Sequence, residues 1–171
     1  MVPRLSQPKS VNVLIGSAHW AWPQAVEQIF QPRGVNALMA QTPAEAVGLV
    51  DSSKIHLALL DAGETDQGGM QTLKMIRKHD RLLPCILLAK QMDQHTLREA
   101  LNLQVFSVLA KPVDLKLLAE QIDRLFVKYY NSDLFSGPTG SSRQQTIIRQ
   151  TVIKWSINRQ ERSTRPDETQ D

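Results

Sequence analysis

The chain has 171 residues, 42% of them apolar and 22% charged, and a formal net charge of +3. This describes a globular protein of one domain plus an extra segment, with enough chain to bury a core, and a single cysteine excludes a disulfide scaffold. The positive residues are spread along the sequence, which gives little ground for a nucleic-acid partner.

Residues 1–10, "MVPRLSQPKS", hold no apolar stretch of signal-peptide length, and are expected to form a disordered N-terminus. No run approaches the roughly 20 apolar residues that cross a bilayer. The expected location is therefore the cytoplasm, with no membrane partner. The first strand is "VNVLI", 11–15. "WPQAVEQIF" follows as a helix with Pro23 in its first turn and Val26, Ile29 and Phe30 on one face, and Gly34 ends it. "VNALMA", 35–40, is the second strand. "TPAE" then opens the second helix with Thr42 as N-cap, Pro43 next and Glu45 completing a capping box, and Ala46, Val47 and Val50 supply its buried stripe.

"IHLALLD", 55–61, is the third strand, and "GMQTLKMIRKH", 69–79, is a helix burying Leu73 and Ile76. "PCILLA", 84–89, is the fourth strand. Cys85 within it is expected to be core rather than a redox nucleophile, since no cationic group adjoins it. Asp93 caps a fourth helix with Leu97, Ala100 and Leu101 inward. "VFSVLA", 105–110, is the fifth strand, and Asp114 caps a last helix in which Leu115, Leu118, Ile122 and Leu125 recur at helical spacing. Strands that are almost wholly apolar and alternate with helices predict an α/β fold, a doubly wound five-stranded parallel sheet covered on both faces, over residues 11–130.

After Asn131 the composition changes. Residues 131–146, rich in Ser, Gly and Pro, read as a linker. Residues 147–171 form a basic, partly disordered tail, in which "TIIRQTVIKWSI" fits a helix or a strand equally well. Arg143, Arg149, Lys154 and Arg159 have no acidic residue between them. They fit either a docking segment or a solvated tail, and so few charges over that length favour the second.

In an open parallel sheet, ligands meet the carboxyl ends of the strands. The residues at those tips are Gly16 and Ser17, Asp61, Ala89 and Lys90, and Lys111. Asp61 and Lys111 would face each other across the crevice. They form either a phosphoryl-acceptor site, with Asp61 as nucleophile and Lys111 on a phosphoryl oxygen, or a plain ion pair. Lys90 and Lys111 either bind an anion there or neutralise Asp61. His19, His56, His79 and His95 lack metal-ligand spacing. No glycine-rich phosphate loop, catalytic triad or helix-turn-helix is present, and few residues remain after Tyr130 for a DNA-binding domain. The chain is read as a binding module, not an enzyme.

"IHLALLDAGETDQGGMQTLKMIR", "PCILLAK" and "VFSVLAKPVDLKLLAEQI" resemble the receiver domain of bacterial response regulators. The pattern is an aspartate ending the third strand, Gly69 eight residues on, the Ile76–Arg77 pair, and Lys111–Pro112 about 50 residues beyond Asp61. The resemblance covers residues 11–130. It implies a flavodoxin-like (βα)5 fold with strand order 2-1-3-4-5, a role in two-component phosphorelay signalling, a phosphate contact from Lys111 and a cis bond before Pro112. A histidine kinase or a downstream effector protein would be the partner, and a homodimer could form through the fourth helix, fifth strand and fifth helix.

The departures from that family set the expected function. It places two acids after the first strand, which hold Mg2+ together with the acceptor aspartate; here they are Gly16 and Ser17. The switch hydroxyl after the fourth strand falls at Ala89, and the switch aromatic of the fifth strand falls at Val108, with Phe106 on the same strand face as a partial substitute. The loop after Asp61 reads "ETDQG" where Met-Pro is usual. A pseudo-receiver that acts by protein–protein contact, with weak or no Mg-dependent phosphorylation and no cofactor, is the expectation. The alternatives are an active single-domain regulator phosphorylated on Asp61, needing Mg2+, and a flavodoxin-like small-molecule binder.

Overall fold

The computed structural model describes residues 10–16, 22–62 and 68–136. Among them are five strands, β1 (Asn12–Gly16), β2 (Asn36–Ala40), β3 (Leu57–Asp61), β4 (Cys85–Ala89) and β5 (Ser107–Ala110). All pairings are parallel, in the order β2-β1-β3-β4-β5. The helices are α1 (Trp22–Ala25), α2 (Pro43–Ser52), α3 (Gly68–His79), α4 (Gln94–Asn102) and α5 (Leu115–Tyr130). α1 runs on into a π-helical turn, Val26–Phe30, and a 3-10 turn, Gln31–Arg33, which ends at Gly34 with φ +64°. That left-handed backbone is one that glycine adopts without a Cβ clash.

The two faces of the sheet bury different helices. Val13, Ile15, Leu57, Leu59, Ile86, Leu88 and Leu109 pack with Ile29 and Phe30 and with Leu118, Ile122, Leu125 and Phe126 of α5. Leu14, Ala58, Leu60, Cys85, Leu87 and Ala89 point the other way, against Ala46, Met70, Leu73, Ile76 and Ala100 of α2, α3 and α4. Alternation along each strand thus feeds two cores, and β3 and β4 are buried at every position.

The caps fall where the side chains allow. Thr42 Oγ1 accepts the Glu45 N–H at 3.2 Å, while Glu45 Oε2 accepts the N–H of Gln41, one residue before the cap, at 2.8 Å. Asp93 Oδ1 accepts the Thr96 N–H at 2.7 Å and Asp114 Oδ1 the Lys116 N–H at 2.8 Å. Each such cap contributes about 1 kcal/mol.

Three packing expectations are corrected. Leu101 is not inward but 74% exposed, because Thr96 and Ala100 alone form the narrow buried line of the nine-residue α4. In α2 only Ala46 is buried, and the residues leaning on the core beside it are Leu49 and Val50 rather than Val47. Phe106 does not share a face with Val108. It precedes β5, lies against the α5-side core and meets Tyr129 edge-on at 6.1 Å, whereas Val108 packs against the opposite core. The strict two-residue alternation does not extend back past the strand's start.

Phe135 is 3% exposed and closes the folded unit, five positions past the end of α5 and inside the expected linker. Its ring stands 4.6 Å from Phe126 and 6.3 Å from Phe30, with the Arg33 guanidinium 5.4 Å above it.

Arg77 ties the α3 end of the molecule together. Its guanidinium donates to the carbonyls of Leu103 (2.8 Å), Leu83 (2.7 Å), Gln104 (3.3 Å) and Asp80 (3.4 Å). It thereby joins the loops before β4 and β5. Replacing it by alanine strips those carbonyls of a charged donor, so Arg77→Ala should lower stability by about 2–4 kcal/mol. Denaturant unfolding monitored by circular dichroism checks this, with Arg77→Lys recovering only part of the loss because an ammonium cannot fork to several acceptors.

Candidate functional site

The carboxyl ends of the strands meet along one edge. Gly16 ends β1 opposite Leu60, Asp61 ends β3 opposite Leu88, and Ala89 ends β4 opposite Ala110. The Lys111 N–H donates to the Ala89 carbonyl at 2.9 Å, which carries the end of β5 in line with β4. From there the Lys111 side chain crosses to β3, and its Nζ lies 2.6 Å from Asp61 Oδ1. The sequence separation is 50 residues, so the fold alone brings these two together.

The pair is withdrawn from water. The Asp61 side chain is 2% exposed and that of Lys111 16%. Such a carboxylate needs a counter-charge and hydrogen bonds to stay ionised. The Lys111–Pro112 peptide is cis.

Gly69, in the first turn of α3, is fixed by contact with the same strand end. A Cβ there would lie 2.6 Å from the Asp61 carbonyl oxygen and 2.8 Å from the Ala62 Cα. Only glycine lets α3 begin against the backbone that presents Asp61.

The β1 tip carries no acid. At Gly16 a Cβ would meet Leu60 Cδ2 at 2.9 Å. Ser17 and residues 63–67 lie outside the described residues, as do the N-terminal segment 1–9 and the tail beyond Ser136. Ala89 is fully buried and Val108 half-buried, both against the core of α3 and α4. Lys90, the next residue after β4, is exposed.

Mg2+ takes six oxygen ligands, one or two carboxylates among them and waters or phosphate oxygens for the rest. Among the described residues no three His, Cys, Asp or Glu side chains are grouped to hold a metal ion. The described strand tips offer it the Asp61 carboxylate, with the Lys111 ammonium on Oδ1.

Other reactive groups lie elsewhere. Burial pushes the Cys85 thiol up to about 11, with the Arg77 charge pulling the other way, and its Sγ donates to the Leu83 carbonyl at 3.3 Å. His79 pairs with Asp51 at 3.1 Å on the outside of α2 and α3. His56 is buried at the amino end of β3, as its place in the apolar run 55–61 implies, but the partners it finds there were not visible in the sequence. Arg77 was visible as part of a motif, but its four carbonyl acceptors come from loops that spacing does not reveal.

The family model of the response regulator receiver domain matches residues 13–123. The transcriptional regulatory protein CrdR of Helicobacter pylori is 30% identical over 105 residues, a match taking in 60% of this chain and 49% of that protein. The chain thus spans about half the length of that relative. The fold resembles a CheY-like receiver domain protein from Methanospirillum hungatei, with a TM-score of 0.62 at 22% identity, covering 72% of this chain and 100% of that one. A receiver protein from Pseudomonas putida gives 0.60 at 25% identity, over 69% and 99%.

The two ends of the buried pair should respond differently to removal. Lys111→Met takes the ammonium away from a buried carboxylate, at a cost of about 3–5 kcal/mol. Asp61→Asn should cost clearly less, because the freed ammonium can swing to water. Parallel urea unfolding of the two variants checks the order; an equal or reversed loss would contradict it.

Proposed function

The chain belongs to the response regulator receiver-domain family, and we propose that within it the chain is a pseudo-receiver, signalling through protein contacts without Mg-dependent phosphorylation. The observation that carries this reading is the β1 tip: Gly16 stands where an acid is needed, and a Leu60 methyl lies 2.9 Å from where its Cβ would be. Charge that develops on a transferring phosphoryl group would lack its metal counter-ion, a deficit of several kcal/mol. Each 1.4 kcal/mol or so is a tenfold loss of rate, so phosphorylation would slow by orders of magnitude.

The readout parts support the same reading. Ala89 has no hydroxyl to follow a phosphate, and Val108 is too small to swing between a buried and an exposed position as an aromatic ring can. The surface of α4, β5 and α5 then serves as a standing docking face. It offers Leu101, 74% exposed, Tyr129, 41% exposed, and the Lys128 ammonium 5.8 Å over the Phe106 ring. Aromatic and cationic groups of this kind anchor protein interfaces. The occupant is a second copy, a histidine kinase or a downstream effector protein. No described helix is long and apolar enough to cross a membrane, and a cytoplasmic setting belongs to the same proposal.

A working phosphoacceptor is the competing reading, favoured by the Asp61–Lys111 contact and by Gly69 at the strand end. Incubation with acetyl phosphate or beryllofluoride, with and without Mg2+, separates the two. No mass increment and no Mg-dependent change in amide spectra are expected. Mg-dependent uptake that Asp61→Asn abolishes would establish the competing reading.

A further inference from the structure

At the end of the sheet away from Asp61 a second polar cluster is buried. His56, directly before β3, is 2% exposed. Its backbone N–H donates to the Asn12 carbonyl at 2.9 Å, and its Nδ1 accepts the Asn12 N–H at 3.1 Å. The Tyr130 hydroxyl, in the last turn of α5, donates to the His56 carbonyl at 2.6 Å, and the two rings meet edge-on at 5.6 Å. Nε2 is buried with no hydrogen-bond partner.

These contacts fix the ring's state. An Nδ1 that accepts from an amide N–H carries no proton, so the ring is neutral with its proton on Nε2. A second proton has no place: at Nδ1 it would point at the Asn12 N–H, donor against donor. The titratable groups facing the ring are Lys54, from the loop that leads to β3, and Tyr130, from α5. β1 contributes neutral Asn12, whose Nδ2 donates to the Lys54 carbonyl at 2.9 Å. Burial, then the Lys54 charge, hold the imidazole below its ordinary 6.5, against a smaller upward pull from Asn12.

The cluster is also linked outward. Tyr130 lies 5.1 Å from Phe126 and Phe126 lies 4.6 Å from Phe135, whose ring is the plug against Phe30 and Arg33 in the turns that follow α1. A displacement of Tyr130 would meet Phe126 first and Phe135 behind it, in an interior packed too densely to absorb it locally.

We propose that His56 is an acid-sensitive latch, holding the starts of β1 and β3 to the last turn of α5, and that its protonation loosens that turn and the Phe135 plug behind it. The sign follows from linkage. A base whose folded titration lies below its unfolded one keeps its full contribution above about pH 6.5. That contribution is lost as pH falls from there toward the folded value.

Hydrogen exchange on the full chain tests this, corrected for intrinsic rates, between roughly pH 7.5 and about pH 5. Protection over residues 126–135 should fall by up to about tenfold per pH unit from about pH 6.5 down to the folded ring's own titration and level off below it, while β4 stays protected. His56→Asn keeps an acceptor near the Nδ1 position but cannot gain a proton, so the pH step should vanish. Tyr130→Phe keeps the ring and drops the hydroxyl bond; the α5 end should then exchange fast at both pH values while His56 still titrates by NMR. If His56→Asn does not fold, Tyr130→Phe decides. A flat wild-type profile, a loss spread equally through β4, or a step retained in either variant would overturn the latch.

Discussion

Everything chemical in this molecule depends on what a sheet buried on both faces does to polarity. β3 and β4 admit only apolar side chains along their length, so a charged group survives only at their tips, and there only with a counter-charge. Asp61 meets that condition through Lys111, which β5 delivers from 50 residues away. The ammonium that keeps the carboxylate tolerable in the fold also competes with any ligand that would approach it. Structure and chemistry draw on one charge pair.

The strands were legible because a buried parallel strand has a plain signature, a short apolar run between turn residues. It is strongest in β3 and β4 and weaker in the half-buried edge strands β2 and β5. Their order came only with the resemblance to the receiver family. The caps at Thr42, Asp93 and Asp114 were legible for a related reason: they are local, involving residues two or three apart. The Asp61–Lys111 contact followed from topology once both residues were placed on strand tips. Hidden were features in which distant loops converge on one side chain. Arg77 takes carbonyls from two loops, and His56 sits between β1 and α5, and no periodicity encodes either. Leu101 and Phe106 were misplaced for a different reason. Helical and strand periodicities assume a regular element, and both residues lie where a short one ends or has yet to begin.

The two ends of the sheet carry unlike polar clusters. At the carboxyl end, opposite charges 2.6 Å apart satisfy each other. At the amino end, a neutral ring is held by backbone hydrogen bonds and has one nitrogen left over. α5 spans both: Asp114 caps its start, three residues after Lys111, and Tyr130 ends it on His56. Both ends of the sheet therefore share a connection to the same helix.

The contact at Gly16 bears on what the β1 tip can seat as well as on its chemistry. A Leu60 methyl lies 2.9 Å from where a Cβ at Gly16 would be. An aspartate placed there would meet that methyl, so a fully buried leucine side chain would have to turn aside before the new carboxylate could settle.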